Sequence, residues 1–123
     1  MKHSSDLSVA IVDDDESLCR SLGRLLRAAG MESIAYQSAE AFLADTRHPD
    51  FDCLLLDVKL GGMSGIELQQ HLVATGGTIP AIFITAYDEP ATRERAFAAS
   101  CRGYFRKTDP GAAVIDAIRK AAS

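Results

Sequence analysis

The sequence predicts an α/β domain: a doubly wound, parallel five-stranded sheet with helices on both faces. Three observations carry that expectation. Short apolar runs such as Cys53-Leu54-Leu55-Leu56 stop abruptly at a polar residue, as strands buried on both faces of a parallel sheet do. Stretches with apolar residues at helical spacing alternate with these runs. The run-then-helix unit recurs five times with no repeat, linker or low-complexity segment between, which calls for crossover connections and hence parallel strands.

Taken in order, residues 7–12 read as a strand that stops at the acid cluster Asp13-Asp14-Asp15-Glu16. From 16 to 29, Leu18, Leu22, Leu25, Leu26 and Ala29 share one helical face, with Arg20, Arg24 and Arg27 on the other. Gly30 ends that helix at C′. A short strand over 33–36 leads to Ser38, a cap for a helix through about 45, and then to a loop over 46–50 containing Pro49.

The run at 52–57 is the third strand, followed by the glycine-rich loop Leu60-Gly61-Gly62-Met63. Ser64 and Glu67 have capping-box spacing for a helix to about 75, broken by Gly76-Gly77. Residues 80–85 form a fourth strand, 90–99 a helix and 102–106 a fifth strand. Asp109-Pro110 reads as an N-cap followed by proline at the first helical position of a last helix through 122. Two strand orders common in doubly wound sheets, 2-1-3-4-5 and 3-2-1-4-5, both fit this pattern.

Composition narrows the function classes. The chain has 123 residues, 47% hydrophobic and 24% charged, which is one domain's worth of core. Its net charge of -4 argues against nucleic acid binding by the domain itself. Cys19, Cys53 and Cys101 show neither C-x-x-C spacing nor an even count, so they read as packed, reduced thiols of a cytoplasmic protein. His3, His48 and His71 are scattered, without metal-ligand spacing. There is no signal-peptide pattern and no run near the roughly 18 apolar residues of a membrane span.

Four strands end on a group of defined chemistry: Asp13 and Asp14 after the first, Asp57 after the third, Thr85 after the fourth, Lys107 after the fifth. If the first and third strands are neighbours, their ends lie about 4.8 Å apart and three carboxylates converge. Such a cluster is tolerable only with a bound proton or a cation, and hard oxygen ligands suit Mg²⁺. A carboxylate beside such an ion can attack a phosphoryl group, while a hydroxyl and an ammonium hold its oxygens.

With these residues the chain resembles, over essentially its full length, the receiver domain of bacterial two-component response regulators. The matching pieces are Val12-Asp13-Asp14, Asp57 with Met63-x-Gly65 downstream, Thr85-Ala86, and Lys107 before the last helix. Tyr36-Gln37-Ser38-Ala39-Glu40-Ala41-Phe42-Leu43 and Asp57-Val58-Lys59-Leu60-x-x-Met63-Ser64-Gly65 are most similar to the FixJ-type subgroup. The resemblance implies a flavodoxin-like (βα)5 sheet in the order 2-1-3-4-5, with Asp57 as phosphoacceptor. It implies direct Mg²⁺ ligation by Asp14, Asp57 and the backbone carbonyl of Lys59, with Asp13 acting through a metal-bound water. Thr85 and Lys107 would meet the phosphoryl group, and Tyr104 holds the position of the family's switch aromatic.

A sensor histidine kinase, or a small phosphodonor, would supply the phosphoryl group, and the domain would catalyse only its own phosphorylation and dephosphorylation. The family's switching surface falls on the fourth helix, fifth strand and fifth helix, about 90–122, where phosphorylation-dependent homodimerisation is expected. Lys59 and Tyr87 occupy the positions that tune phosphate lifetime. The expectation is one receiver domain over 1–123 without an output domain in this chain. It is either a single-domain regulator acting by protein contact or the receiver of a transcriptional regulator.

Two positions depart from the family pattern. Thr108 replaces the usual proline after the conserved lysine, so a trans bond or rearranged loop is expected, because a cis non-proline bond costs about 2.5–4 kcal/mol. Gly61 stands where a proline is common, predicting a looser loop. Each site residue also has a bland reading alone: a solvated helix start for the acids, a strand-end turn residue for Asp57, an exposed lysine, a core tyrosine. Their joint placement at one sheet edge is what favours chemistry. A haloacid-dehalogenase-like phosphatase would need an acid where Lys59 stands. A flavin mononucleotide carrier would meet repulsion from Asp13-Asp14-Asp15.

Overall fold

Hydrophobicity places the strands: β1 (Ser8–Val12), β3 (Cys53–Asp57) and β4 (Ala81–Thr85) are almost wholly buried, whereas β2 (Glu32–Tyr36) and β5 (Gly103–Arg106) are partly exposed. This is the gradient of a sheet with three inner strands and two edges. The computed structural model describes residues 7–48, 50–86 and 88–123. Its five strands are all parallel, in the order β2-β1-β3-β4-β5. Of the two orders open to the sequence pattern, the one implied by the resemblance is the one found. His3, Pro49 and Tyr87 lie outside the described residues.

Alternation along each strand divides the core into two layers. Ala10, Val12, Leu54, Leu56 and Phe83 face α2 (Ala39–Ala44), α3 (Gly65–Ala74) and α4 (Pro90–Ala98). Val9, Ile11, Leu55, Ile82 and Ile84 face α1 (Glu16–Ala28) and α5 (Gly111–Ala122). The apolar face of α1 contributes Leu22 and Leu26 as its spacing predicted, joined by Cys19, a small hydrophobe in this setting. Arg20, Arg24 and Arg27 are exposed.

Helix ends largely follow their local chemistry. Ser38 accepts from the Ala41 amide at 3.0 Å, and Ser64 and Glu67 make both bonds of the capping box. Gly30 takes a φ of 84° beyond the end of α1. The expected Asp109 cap is a correction. Helix α5 starts at Gly111 with Pro110 at N-cap and no side-chain cap bond. Asp109 instead accepts from the Arg106 amide at 2.8 Å and returns its own N–H to the Arg106 carbonyl at 3.0 Å. Both groups of Asp109 are thus used to close the turn carrying Lys107-Thr108, and none of the described peptide bonds is cis.

Leu55 is 1% exposed at the centre of the α1/α5 layer. Leu55→Ala is expected to cost about 2–5 kcal/mol of stability, read as a lowered urea midpoint with an unchanged slope. A midpoint equal to wild type would contradict this packing.

Candidate functional site

Register brings the strand ends to one edge. Val12 pairs with Leu56, so Asp13 and Asp57 follow at the same level on adjacent strands. Asp57 pairs with Ile84 and Thr85 with Arg106, so Thr85 and then Lys107 stand one step further out each. The Lys107 amide donates to the Thr85 carbonyl at 2.9 Å, which ties the last two strand ends together.

The four consecutive acids divide by role. Asp13 is buried, and its Oδ1 accepts from the Asp15 amide at 2.9 Å. Asp15 is the N-cap of α1, accepting from the Leu18 amide at 3.2 Å, a role the spacing left unread. Glu16 lies 4.0 Å from Arg20 on the helix surface. Asp14 is exposed at the mouth, and the carboxylates of Asp13, Asp14 and Asp57 each place an oxygen within 4.8 Å of the others.

Asp57 is 5% exposed. Its Oδ1 accepts from the Lys59 amide at 3.3 Å and its Oδ2 from Lys107 Nζ at 3.0 Å. The same ammonium lies 3.2 Å from Asp13 Oδ2. Burial, and then the negative charge of Asp13, push the Asp57 carboxyl up to about 6 against the pull of Lys107. Burial draws the Lys107 ammonium down, but Asp57 and Asp13 outweigh it and leave it above its ordinary value.

One ammonium among three carboxylates leaves the cluster net negative. The donor set is all hard oxygen, with the exposed Asp14 giving access from solvent. These residues fit a divalent cation such as Mg²⁺. Gly65 belongs to the same construction: its amide donates to the Val58 carbonyl at 3.1 Å. A Cβ there would collide with the Asp57 backbone carbonyl, so close packing of α3 onto the end of β3 requires glycine. In the sequence Gly65 stands out only as part of the Met63-x-Gly65 motif.

Thr85 is 1% exposed at the end of β4. Tyr104 lies on the α4 side of the sheet, its hydroxyl buried and without a hydrogen-bond partner among the described residues. Burial holds this phenol above its ordinary value. The Arg93 guanidinium sits 5.3 Å from the Tyr104 ring centroid and 5.7 Å from that of Phe97. Asp13, Asp14, Asp57, Thr85 and Lys107 therefore share one edge, while Tyr104 lies below it, three residues before Lys107.

The chain is a doubly wound α/β domain with acids on the ends of two adjacent inner strands, and comparison with known proteins gives its family. The family described as response regulator receiver domain matches residues 9–119. Response regulator protein TodT of Pseudomonas putida is 32% identical, over 98% of this chain and 54% of its own length. Transcriptional regulatory protein FixJ of Rhizobium meliloti is 33% identical, over 95% of this chain and 57% of its own. The solved structure of FixJ-N aligns with a TM-score of 0.87 at 33% identity, covering 99% of this chain and 95% of that one. The chain belongs to the response regulator receiver family and is a receiver domain of two-component signalling. It spans about half the length of the curated relatives it matches.

In metal-free protein, Asp57 holds its proton up to about 6 when folded, against 3.8 for an ordinary carboxyl. Between those values the folded state carries the extra proton, so stability falls as pH rises. The cost is absent below the lower value and complete above the upper one. Asp57→Asn removes it while Lys107 keeps Asp13 as partner. The variant is expected to be more stable by about 1–3 kcal/mol near pH 8, with the gain vanishing towards about pH 4. Urea unfolding across that range reads the difference, and a gain independent of pH would contradict the assignment.

Proposed function

We propose that the domain accepts a phosphoryl group on Asp57 and that the modification switches its α4–β5–α5 face. The observation that carries this reading is Lys107 Nζ lying 3.0 Å from Asp57 and 3.2 Å from Asp13, beside the exposed Asp14. An Asp57 oxygen forms a bond to phosphorus as the bond from phosphorus to the donor breaks, and the donor leaves with the electron pair. Lys107, already at Asp57, would meet the negative oxygens as they arrive, with the Thr85 hydroxyl beside it.

Asp13, Asp14 and Asp57, with the Lys59 backbone carbonyl, would hold Mg²⁺, which when bound offsets the repulsion between carboxylates and incoming phosphate. The raised Asp57 carboxyl supports this division of labour. Ionised at neutral pH yet crowded by Asp13, the acid leaves the cluster with net negative charge that a bound cation would relieve.

The donor is a phosphohistidine on a sensor histidine kinase or a small acyl phosphate. Thr85 and Tyr104 form the switching pair, a transition of a few kcal/mol between two arrangements of the same face. Lys59 belongs to the site through its backbone, whose amide reaches Asp57 Oδ1, and its side chain stands at the position that tunes phosphate lifetime. Relatives of twice the length, FixJ among them, support a place within a longer transcriptional regulator acting in the cytoplasm. Among the described residues no helix is long and apolar enough to cross a membrane.

Acetyl phosphate with Mg²⁺, read by intact mass, tests the chemistry. Wild type is expected to gain one phosphoryl group, labile to hydroxylamine, and Asp57→Asn none at that position. Equal labelling of the variant would overturn the reading. Phe97, 48% exposed on α4, supports phosphorylation-dependent pairing of two copies through this face. Sedimentation with beryllofluoride is expected to show a dimer that Phe97→Ala weakens; an unchanged monomer would count against it.

A further inference from the structure

Two stretches of the chain meet without yet having a part in the chemistry: the start of α2 and the arc after Asp57. Glu40, in the first turn of α2, accepts from the Met63 amide through Oε2 at 3.0 Å. Met63 lies in the arc 60–64. That arc is anchored at its near end by the Lys59 amide on Asp57 Oδ1 at 3.3 Å. Its far end closes through the Gly65 amide on the Val58 carbonyl at 3.1 Å. Glu40 holds the middle.

The contact is built from both sides. Gly62 has a φ of 82°, and a Cβ on it would lie 2.6 Å from Glu40 Oε2, so the carboxylate occupies space that only glycine leaves open. Helix α2 is itself fixed by the Ser38 cap and by burial of Ala39 and Phe42, so Glu40 reaches out from a rigid element. The Met63 amide holds the Glu40 carboxyl below its ordinary value, so the bond is charge-assisted at neutral pH.

We propose that Glu40 is a positioning residue for the Asp57 site: its carboxylate clips the 60–64 arc to α2 and so steadies the Lys59 backbone beside Asp57. This rests on Asp57 being the phosphoacceptor. A released arc has to be ordered again each time cation and donor bind. The loss therefore falls on apparent affinity more than on the saturated rate.

Three substitutions separate the clip from a simple helix charge. Glu40→Ala removes the acceptor, and Glu40→Asp keeps charge in the first turn of α2 but is too short to reach Met63. Glu40→Gln keeps reach and an acceptor oxygen. In hydrogen exchange without ligand, the Ala and Asp variants are expected to speed exchange in 60–64 by about three- to tenfold, with Gln close to wild type. With acetyl phosphate, Ala and Asp are expected to raise the half-saturating Mg²⁺ concentration by a similar factor, about three- to tenfold, at a nearly unchanged saturated rate.

Unchanged exchange in Glu40→Ala overturns the clip, and wild-type behaviour of Glu40→Asp assigns the residue to the helix dipole instead. Faster exchange with unchanged Mg²⁺ dependence overturns the positioning role. Wild type that takes no phosphoryl group on Asp57 overturns the phosphoacceptor reading, and the positioning role with it. The exchange result still reports on the clip itself.

Discussion

The crowding of carboxylates at the ends of β1 and β3 is the constraint on which the site depends. Parallel pairing fixes Asp13 and Asp57 at one level on neighbouring strands, both nearly withdrawn from solvent. Two anions so placed repel in a medium that screens poorly. Burial and then the charge of Asp13 raise the Asp57 carboxyl, and Lys107, from the far end of the chain, lies between the two acids and only partly offsets them. The domain thus carries an unsatisfied preference for positive charge at the one edge where its strands converge. A scaffold optimised for stability alone would place an amide at one of these positions.

The same edge shows how one run of sequence is divided into separate tasks. Asp13, Asp14, Asp15 and Glu16 look alike as letters, yet backbone direction sends them to four environments. One enters the cluster, one faces solvent at its mouth, one caps α1, and one pairs along the helix surface. Their division follows from where the strand stops and the helix starts. A shift of one residue would bring Asp14 into the inner position and take Asp15 off the helix cap.

Element types and most boundaries were legible because they rest on local signals. Apolar runs, helical spacing, Ser38 and the Ser64–Glu67 box each act within a few residues. Strand order was not separable by alternation alone, although a usable signal was present. Cys53 to Leu56 is too apolar for an edge, and the alternative order 3-2-1-4-5 would have put it there. Asp109 was misread because two local roles compete for one carboxylate. Capping α5 and closing the turn on the Arg106 amide are both within its reach, and the turn wins. Glu40 carries no local signal of its role, since its partner is 23 residues away and no spacing rule connects a helix start to a loop beyond the next strand.

The site is also assembled from distant parts of the chain. Lys107 is separated by 94 residues from Asp13 and by 50 from Asp57, and its position depends on β5 pairing with β4. Contacts of such long sequence separation form late, after much of the loop-closure entropy has been met. A chain still emerging from the ribosome has its acids long before it has its lysine. The acid cluster therefore gains its counter-charge only when the last strand completes the sheet.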